Sequence, residues 1–439
     1  MVALGFGKFA RADRIYALER ITGDERGDGH RTRVWIEGVA EPLIASRTET
    51  TILRDMGQDA AIAGPELDEA LDLAERLAAD GFARQDETAA WDARPGGHVL
   101  VRGGAVLAWW VPEDASPESG FRIIGSHTDS PGFTLKPNPE TTAFGWQQAA
   151  VEVYGGPILH SWFDRELTFA GRVVLADGSQ RLVSTGPVAR IPNLAIHLDR
   201  STELKVDRQQ HTQPIVATTG TTVLDAVAEA AGVDAQDIYG HDLITCDAQR
   251  GEVFGTDAEF LAAGRLDNLT SVHASLIALQ RAIASGDTGS DVLVLAAFDH
   301  EEVGSASVNG AAGPVLEQVL TRTATALGAD EDARHRMIAR STCVSADAAH
   351  AVHPAHAGKH DPTHQPMIGR GPVTKINGNQ RYASSPDTVA WWEVACRAAG
   401  VPSQTFVGNN SVPCGSTIGP ITATRLGIPT VDVGVPLLS

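Results

Sequence analysis

The chain has 439 residues, 43% hydrophobic and 5% aromatic, with 35 basic against 55 acidic residues and a formal charge of −20. That length suits about two or three domains with an ample core. The acidity excludes general nucleic-acid affinity for the whole molecule, leaving room only for a local basic patch. Cys246, Cys343, Cys396 and Cys414 lack CxxC spacing and are too few for a disulfide framework, so they read as free thiols of a cytoplasmic protein. No run approaches the ~20 apolar residues that span a bilayer. The N-terminus has no cationic stretch before a long apolar core, so it does not read as a signal peptide.

Residues 1–56 have a character of their own. "RTRVWIEGV" and "EPLIASRT" alternate like strands of a small sheet, joined by the Gly- and charge-rich "TGDERGDGHR". "GPELDEALDLAERLAADGF" predicts an amphipathic helix with Leu67, Ala70, Leu71 and Ala74 on one face and Gly81 as its stop. "HVLVRGGAVLAWWV" predicts a hairpin turned at Gly103-Gly104, and "FRIIGSHTDSPGF" an apolar strand that breaks into a polar loop. From 131 to 242 the pattern is β-rich, with strands expected in "AAVEVYGG", "ELTFAGRVVLADGSQRLVST" and "ARIPNLAIHL". Beyond 242, strands and helices alternate: a helix over 268–283, the strand in "DVLVLAAFDHEE", helices over 314–327 and 387–399, and a buried strand in "GIPTVDVGVP". This alternation predicts an α/β fold, a largely parallel sheet covered by helices. The expected division is 1–56, a domain formed by 57–130 with 243–439, and an insert at 131–242.

Loops converge at strand ends in an open α/β sheet, and ligands bind there. His127 and Asp129 in "GSHTDSP" are two apart, so in extended chain they point the same way. A metal-bound histidine hands its second N–H to a carboxylate, a role open to Asp129. Asp267 in "RLDN" precedes a helix, where it either caps or binds a cation. Asp347 closes "STCVSAD". Glu301 and Glu302 follow the apolar strand with no Lys or Arg beside them, and a bound cation would relieve their repulsion. Each has a bland alternative, a chance H-x-D or a solvated loop; together they share a placement after apolar strands or at a helix start.

"GSHTDSPGF", "RLDN", "FDHEEVGS", "SADAAHAVHP", "KINGNQRYAS" and "CGSTIGP" occur here in the order and spacing of the aspartyl aminopeptidases, the M18 metallopeptidases, which the chain resembles from about residue 60 onward. The resemblance implies a zinc-aminopeptidase-like mixed sheet flanked by helices, with residues 131–242 as an inserted dimerisation domain and residues 1–56 as a small β appendage. It implies two zinc ions bridged by Asp267, one also held by His127 and Asp347 and the other by Glu302, with Glu301 as general base. It further implies peptide substrates with N-terminal Asp or Glu, whose carboxylate meets Lys375, with Tyr382 helping to hold them. Gly415 and Thr417 lie in the "CGSTIGP" loop, whose backbone N–H groups would approach substrate. His197, in "NLAIHLDR", matches a histidine that reaches a neighbouring subunit's site, in a family that builds dodecamers from dimers. Taken alone, Lys375 reads as a surface lysine and His197 as an ordinary strand residue.

Two differences from the family carry expectations. This sequence closes on "DVGVPLLS", where the family continues into a Met-His-Ser segment supplying the last metal ligand and then a helix. The expectation is an incomplete second metal site and a weakly active or inactive peptidase-like scaffold; His350, His353 and His356 belong to another strand end and are not expected to substitute. Residues 1–56 resemble a small DNA-binding regulator of extracellular-matrix genes, with His30, Arg31 and Arg33 near the place of its arginine pair. Phosphate contacts by Arg31 and Arg33 or a plain β appendage are the alternatives.

Overall fold

The strand "VLVLAAF" (Val292–Phe298) is apolar at every position because both of its faces are covered. Val294, Ala296 and Phe298 pack into one core with Trp109, Phe121, Val315, Leu316 and Leu320. The alternate residues, Leu295 and Ala297, pack into another with Leu73, Leu77, Val272 and Leu276. The strand's two-residue period therefore divides helices between two layers. In this computed structural model the described residues are 67–218 and 220–438, with 2–5, 8–10, 15–20, 32–36, 39 and 42–45 before them.

The sheet has nine strands, in the order Gln404–Val407, Val373–Ile376, Thr430–Gly434, Thr342–Ala346, Phe121–His127, Val292–Phe298, Ala105–Val111, Gly96–Arg102 and Ala83–Arg84. The four from Thr430–Gly434 to Val292–Phe298 run parallel. Pairing turns antiparallel at Ala105–Val111 and again at Val373–Ile376, so the sheet is mixed. Hence the carboxyl ends of the four parallel strands open on one edge, where His127 ends its strand and Asp299, Asp347 and Val435 follow theirs. The helix Leu67–Ala79 buries Ala70, Leu73 and Leu77, with Ala74 of the expected face partly buried against the same core. The side chains of Leu67 and Leu71 lie outside the described residues.

The insert is a closed barrel of Gly132–Ala143, Trp146–Tyr154, Ile215–Ala217, Gln180–Arg190, Glu166–Leu175 and Ile238–Asp247. Its core holds Phe133, Val151, Phe169, Val173 and Leu243, plugged by Val223 and Val227 of the helix Val223–Ala231. That helix was not expected within a β-rich stretch; its signals are the capping box Thr222–Asp225 and left-handed Gly232 at its end. The strand Ile238–Asp247 carries the barrel past residue 242. The strand expected in "ARIPNLAIHL" stops at Arg190. Leu194, Ile196 and Leu198 beyond it are exposed, and Leu198 N–H turns back to the Ala195 carbonyl. Alternating hydrophobicity there has no cross-strand partner to make it a ladder.

The chain divides into two compact units, Met1–Ala63 and Gly64–Ser439. In the first, Val2–Gly5 pairs with Lys8–Ala10, and Ile15–Arg20, Thr32–Ile36 and Leu43–Ala45 form an antiparallel sheet. Arg33 stands opposite Glu19; His30, Arg31 and the joining "TGDERGDGHR" lie outside the described residues. No helix among the described residues is long and apolar enough to cross a membrane. All four cysteines are free.

Phe298 is 1% exposed and seats the strand that delivers Glu301 and Glu302. Phe298→Ala is expected to lower unfolding free energy by about 3–5 kcal/mol, read as a reduced urea midpoint.

Candidate metal centre

Four chain segments bring the site together. Phe121–His127 ends in the ring of His127, which is 1% exposed. Nδ1 faces Asp129, 3.0 Å from its carbonyl oxygen and 3.3 Å from Oδ1. Nε2 faces outward, 3.4 Å from Asp267 Oδ1 and 3.5 Å from Asp347 Oδ1. An imidazole oriented by a carboxylate on one nitrogen presents the other to a metal.

Asp347 follows the strand Thr342–Ala346, and its neighbour strand passes so close that a Cβ at Gly434 would lie 1.9 Å from the Asp347 carbonyl oxygen. Only glycine fits there. Asp267 sits in the first turn of Leu266–Ser285 with non-helical backbone, while Arg265 holds the cap position. The Asp267 carbonyl accepts the Ser130 hydroxyl at 3.0 Å, and Asn268 Nδ2 donates to the Ala346 carbonyl at 2.8 Å, tying helix start to strand end. The Asp267 carboxylate stays half exposed, open to the cleft.

The pair Glu301–Glu302 forms a single 3-10 turn after His300, whose φ is 61°. Asp129 holds that turn. Its Oδ1 accepts the Glu301 N–H at 2.9 Å and its Oδ2 accepts the Glu302 N–H at 3.0 Å. A further bond comes from the barrel: Tyr154 Oη donates to Asp129 Oδ2 at 2.8 Å. Asp299, buried behind the turn, accepts the Gly104 N–H at 3.1 Å and the His300 N–H at 2.8 Å.

The donor atoms of His127, Asp267 and Asp347 lie within 4.8 Å of one another, as do those of His127, Glu301 and Glu302. Burial pushes Glu301 up to about 7 and Glu302 up to about 8; His127 opposes the rise and the surrounding carboxylates add to it. Burial works against charge on His127, yet its bonds to Asp129, Asp267 and Asp347 raise it well above an ordinary imidazole. Burial likewise opposes ionisation of Asp347, and Lys375, then His127, override it to hold that carboxyl low. One imidazole nitrogen among crowded carboxylate oxygens is a donor set that fits zinc, whose charge relieves this crowding.

Lys375, 3% exposed, places Nζ 3.4 Å from Asp347 Oδ2 and 5.5 Å from the centre of the Tyr382 ring. It is no surface lysine. Tyr382 is buried with Val373 and Phe406, beside Cys414. Thr417 is buried as the cap of Ile418–Leu426, and the Gly415 carbonyl accepts Arg381 Nε at 3.3 Å. His197 is exposed, on the stretch where the expected strand does not form. His353 and His356 pack on each other with tilted rings and belong to neither donor cluster. Sequence reasoning passed over Tyr154, at a strand end before Gly-Gly, and Asp432, an acid inside the apolar run "TVDVGVP".

An open α/β sheet with this imidazole–carboxylate cluster at the ends of its parallel strands defines a metal-dependent hydrolase. The chain belongs to the M18 family: residues 68–439 match the family described as Aminopeptidase I zinc metalloprotease (M18). It is 51% identical over 374 residues to a probable M18 family aminopeptidase 2 of Streptomyces avermitilis, covering 83% of this chain and 87% of that one. A Streptomyces coelicolor protein of the same description is 50% identical over 375 residues, with the same coverage. Among solved structures, that of the Ape4 and Nbr1 complex is similar with a TM-score of 0.83 and 34% identity, over 87% of this chain and 79% of that chain. The S. cerevesiae mApe1 dodecamer is similar with a TM-score of 0.75 and 27% identity, over 88% and 90%.

Asp129→Asn keeps the shape but cannot accept an N–H on both of its terminal atoms. Zinc affinity, measured by chelator competition, is expected to fall about 10- to 100-fold. Tyr154→Phe, which removes one bond to the same carboxylate, is expected to cost about 3- to 10-fold. Unchanged affinity in both variants would mean that Asp129 does not position the site.

Proposed function

We propose that this aminopeptidase removes N-terminal aspartate and glutamate from peptides and does so with two zinc ions. The observation that carries the specificity is Lys375: an ammonium buried beside the donor cluster, 3.4 Å from Asp347 and over the face of Tyr382. A buried cation is retained where it meets negative charge; Asp347 supplies part of it, and an acidic substrate side chain entering beside Lys375 would supply more.

In this reading His127, Asp267 and Asp347 would hold one ion, and Glu302, with Asp267, would help to hold the other. Zinc supplies the Lewis acidity that activates water and polarises the scissile carbonyl. Glu301 takes the water's proton on its carboxylate and passes it to the leaving amine. Asp129, through the backbone of Glu301 and Glu302, keeps both carboxylates in register with His127. Lys375 pairs with the substrate carboxylate, the Tyr382 ring limits the pocket, and N–H groups of the loop holding Gly415 and Thr417 line its rim.

Self-association follows the same reading. The barrel serves as the dimerisation domain, and exposed Leu194, Ile196 and Leu198 beside His197 suit a segment that enters a neighbouring subunit, as befits a relative of the mApe1 dodecamer. Free cysteines fit a reducing cytoplasm.

Hydrolysis of Asp- and Glu-initiated peptides, compared with Leu-initiated ones, tests the specificity. A preference for the neutral peptides would remove it. Chelation is expected to abolish turnover and zinc to restore it; about two ions per chain by metal analysis supports the two-zinc reading, and one or none the incomplete second site. Glu301→Gln is expected to lower kcat by about 10²- to 10⁴-fold while zinc content holds; a smaller loss would deny it the proton-transfer role.

A further inference from the structure

Asp432 is fully buried, and no step of the chemistry above uses it. It lies in the apolar strand Thr430–Gly434. Antiparallel pairing of Val373 with Gly434 and Thr374 with Val433 puts it opposite Lys375. Its Oδ1 accepts the Thr417 hydroxyl at 2.6 Å, its Oδ2 accepts the Ala383 N–H at 2.5 Å, and its own N–H donates to Ser384 Oγ at 2.9 Å. The seat is tight, since a Cβ at Gly419 would come 2.3 Å from Oδ1.

One carboxylate therefore fastens two separate segments. Ala383 follows Tyr382, whose ring faces Lys375 Nζ, and Thr417 closes the 414–417 loop at the start of Ile418–Leu426. Burying an acid in a strand is unfavourable unless its oxygens are bonded, and here one oxygen is bonded to the segment after Tyr382 and the other to the Thr417 loop, with Lys375 opposite. We propose that Asp432 is a positioning residue for substrate selectivity: it fixes the Tyr382 turn and the Thr417 loop about the lysine, so that Nζ presents one defined seat for a substrate carboxylate. It acts through those segments and does not touch substrate. The inference rests on the acid-pocket reading and adds the residue that shapes the pocket.

The test uses the full chain with Asp432→Asn, which keeps size and one acceptor, and Thr417→Val, which removes one of the two bonds from the other side together with the helix cap, against Thr417→Ser, which keeps both. kcat and KM are measured on matched peptides starting with Asp and with Leu, alongside zinc per chain. Asp432→Asn is expected to raise KM for the Asp peptide about 10- to 100-fold, leaving kcat within about threefold, the Leu peptide little altered and zinc content unchanged; Thr417→Val shifts KM the same way by less. Equal losses on both peptides, or loss of zinc, would make Asp432 merely structural and overturn the inference. An Asp-over-Leu preference that survives in both Asp432→Asn and Thr417→Val overturns it too, while leaving the acid-pocket reading intact. A wild-type chain without that preference removes the reading itself, and the inference with it.

Discussion

Carboxylates do not gather at buried strand ends unless something holds them against their mutual repulsion. Here that constraint is met by Asp129. Both of its oxygens accept backbone N–H groups from the Glu301–Glu302 turn, and its side and main chain both meet Nδ1 of His127. One residue thus orients an imidazole and two acids, leaving Nε2 of the histidine free to face Asp267 and Asp347. His127 first, then the Glu302 N–H and the Tyr154 hydroxyl, hold Asp129 ionised against its burial. The positive charge the cluster still needs is left for zinc, with Lys375 the buried ammonium beside it.

The sheet makes this convergence possible. Parallel pairing of Phe121–His127 with both Val292–Phe298 and Thr342–Ala346 puts residues far apart in sequence at one level. His127 stands beside Phe298, so the glutamate turn begins where the histidine strand ends. Asp267 enters from a helix, and its leading residues abandon helical backbone so that Asn268 can bond the end of the Asp347 strand. The geometry is a property of strand register more than of any one loop.

Much of this was legible in the sequence, and for a physical reason. An acid that follows an apolar strand, as Asp347 and Glu301 do, is unfavourable unless it has a partner, so its presence is informative by itself. The same logic applied to "TVDVGVP" points at Asp432, an acid flanked by buried valines. Other features depend on what packs across space. Whether Asp267 caps its helix is decided by backbone torsions that composition does not encode. Tyr154 reads as one more barrel residue until the barrel is set against the sheet. In "NLAIHL" the alternation is real but the neighbouring strand is missing, and period alone cannot report a missing neighbour. Thr222, Asp225 and Gly232 did announce the helix between them, against a β-rich background that hid it.

Tyr154 also links the two halves of the large unit. It ends the barrel strand Trp146–Tyr154, and its hydroxyl joins the two N–H groups already on the Asp129 carboxylate. A barrel that moved relative to the sheet would pull on the one residue that orients both His127 and the glutamate turn. Hydrogen-bonded networks of this kind are unforgiving, because a buried partner left without its bond is more costly than the bond was favourable. The insert is consequently part of the site's support. Gly155, the next residue, adds to that support, since a Cβ there would lie 3.0 Å from Cβ of Glu302.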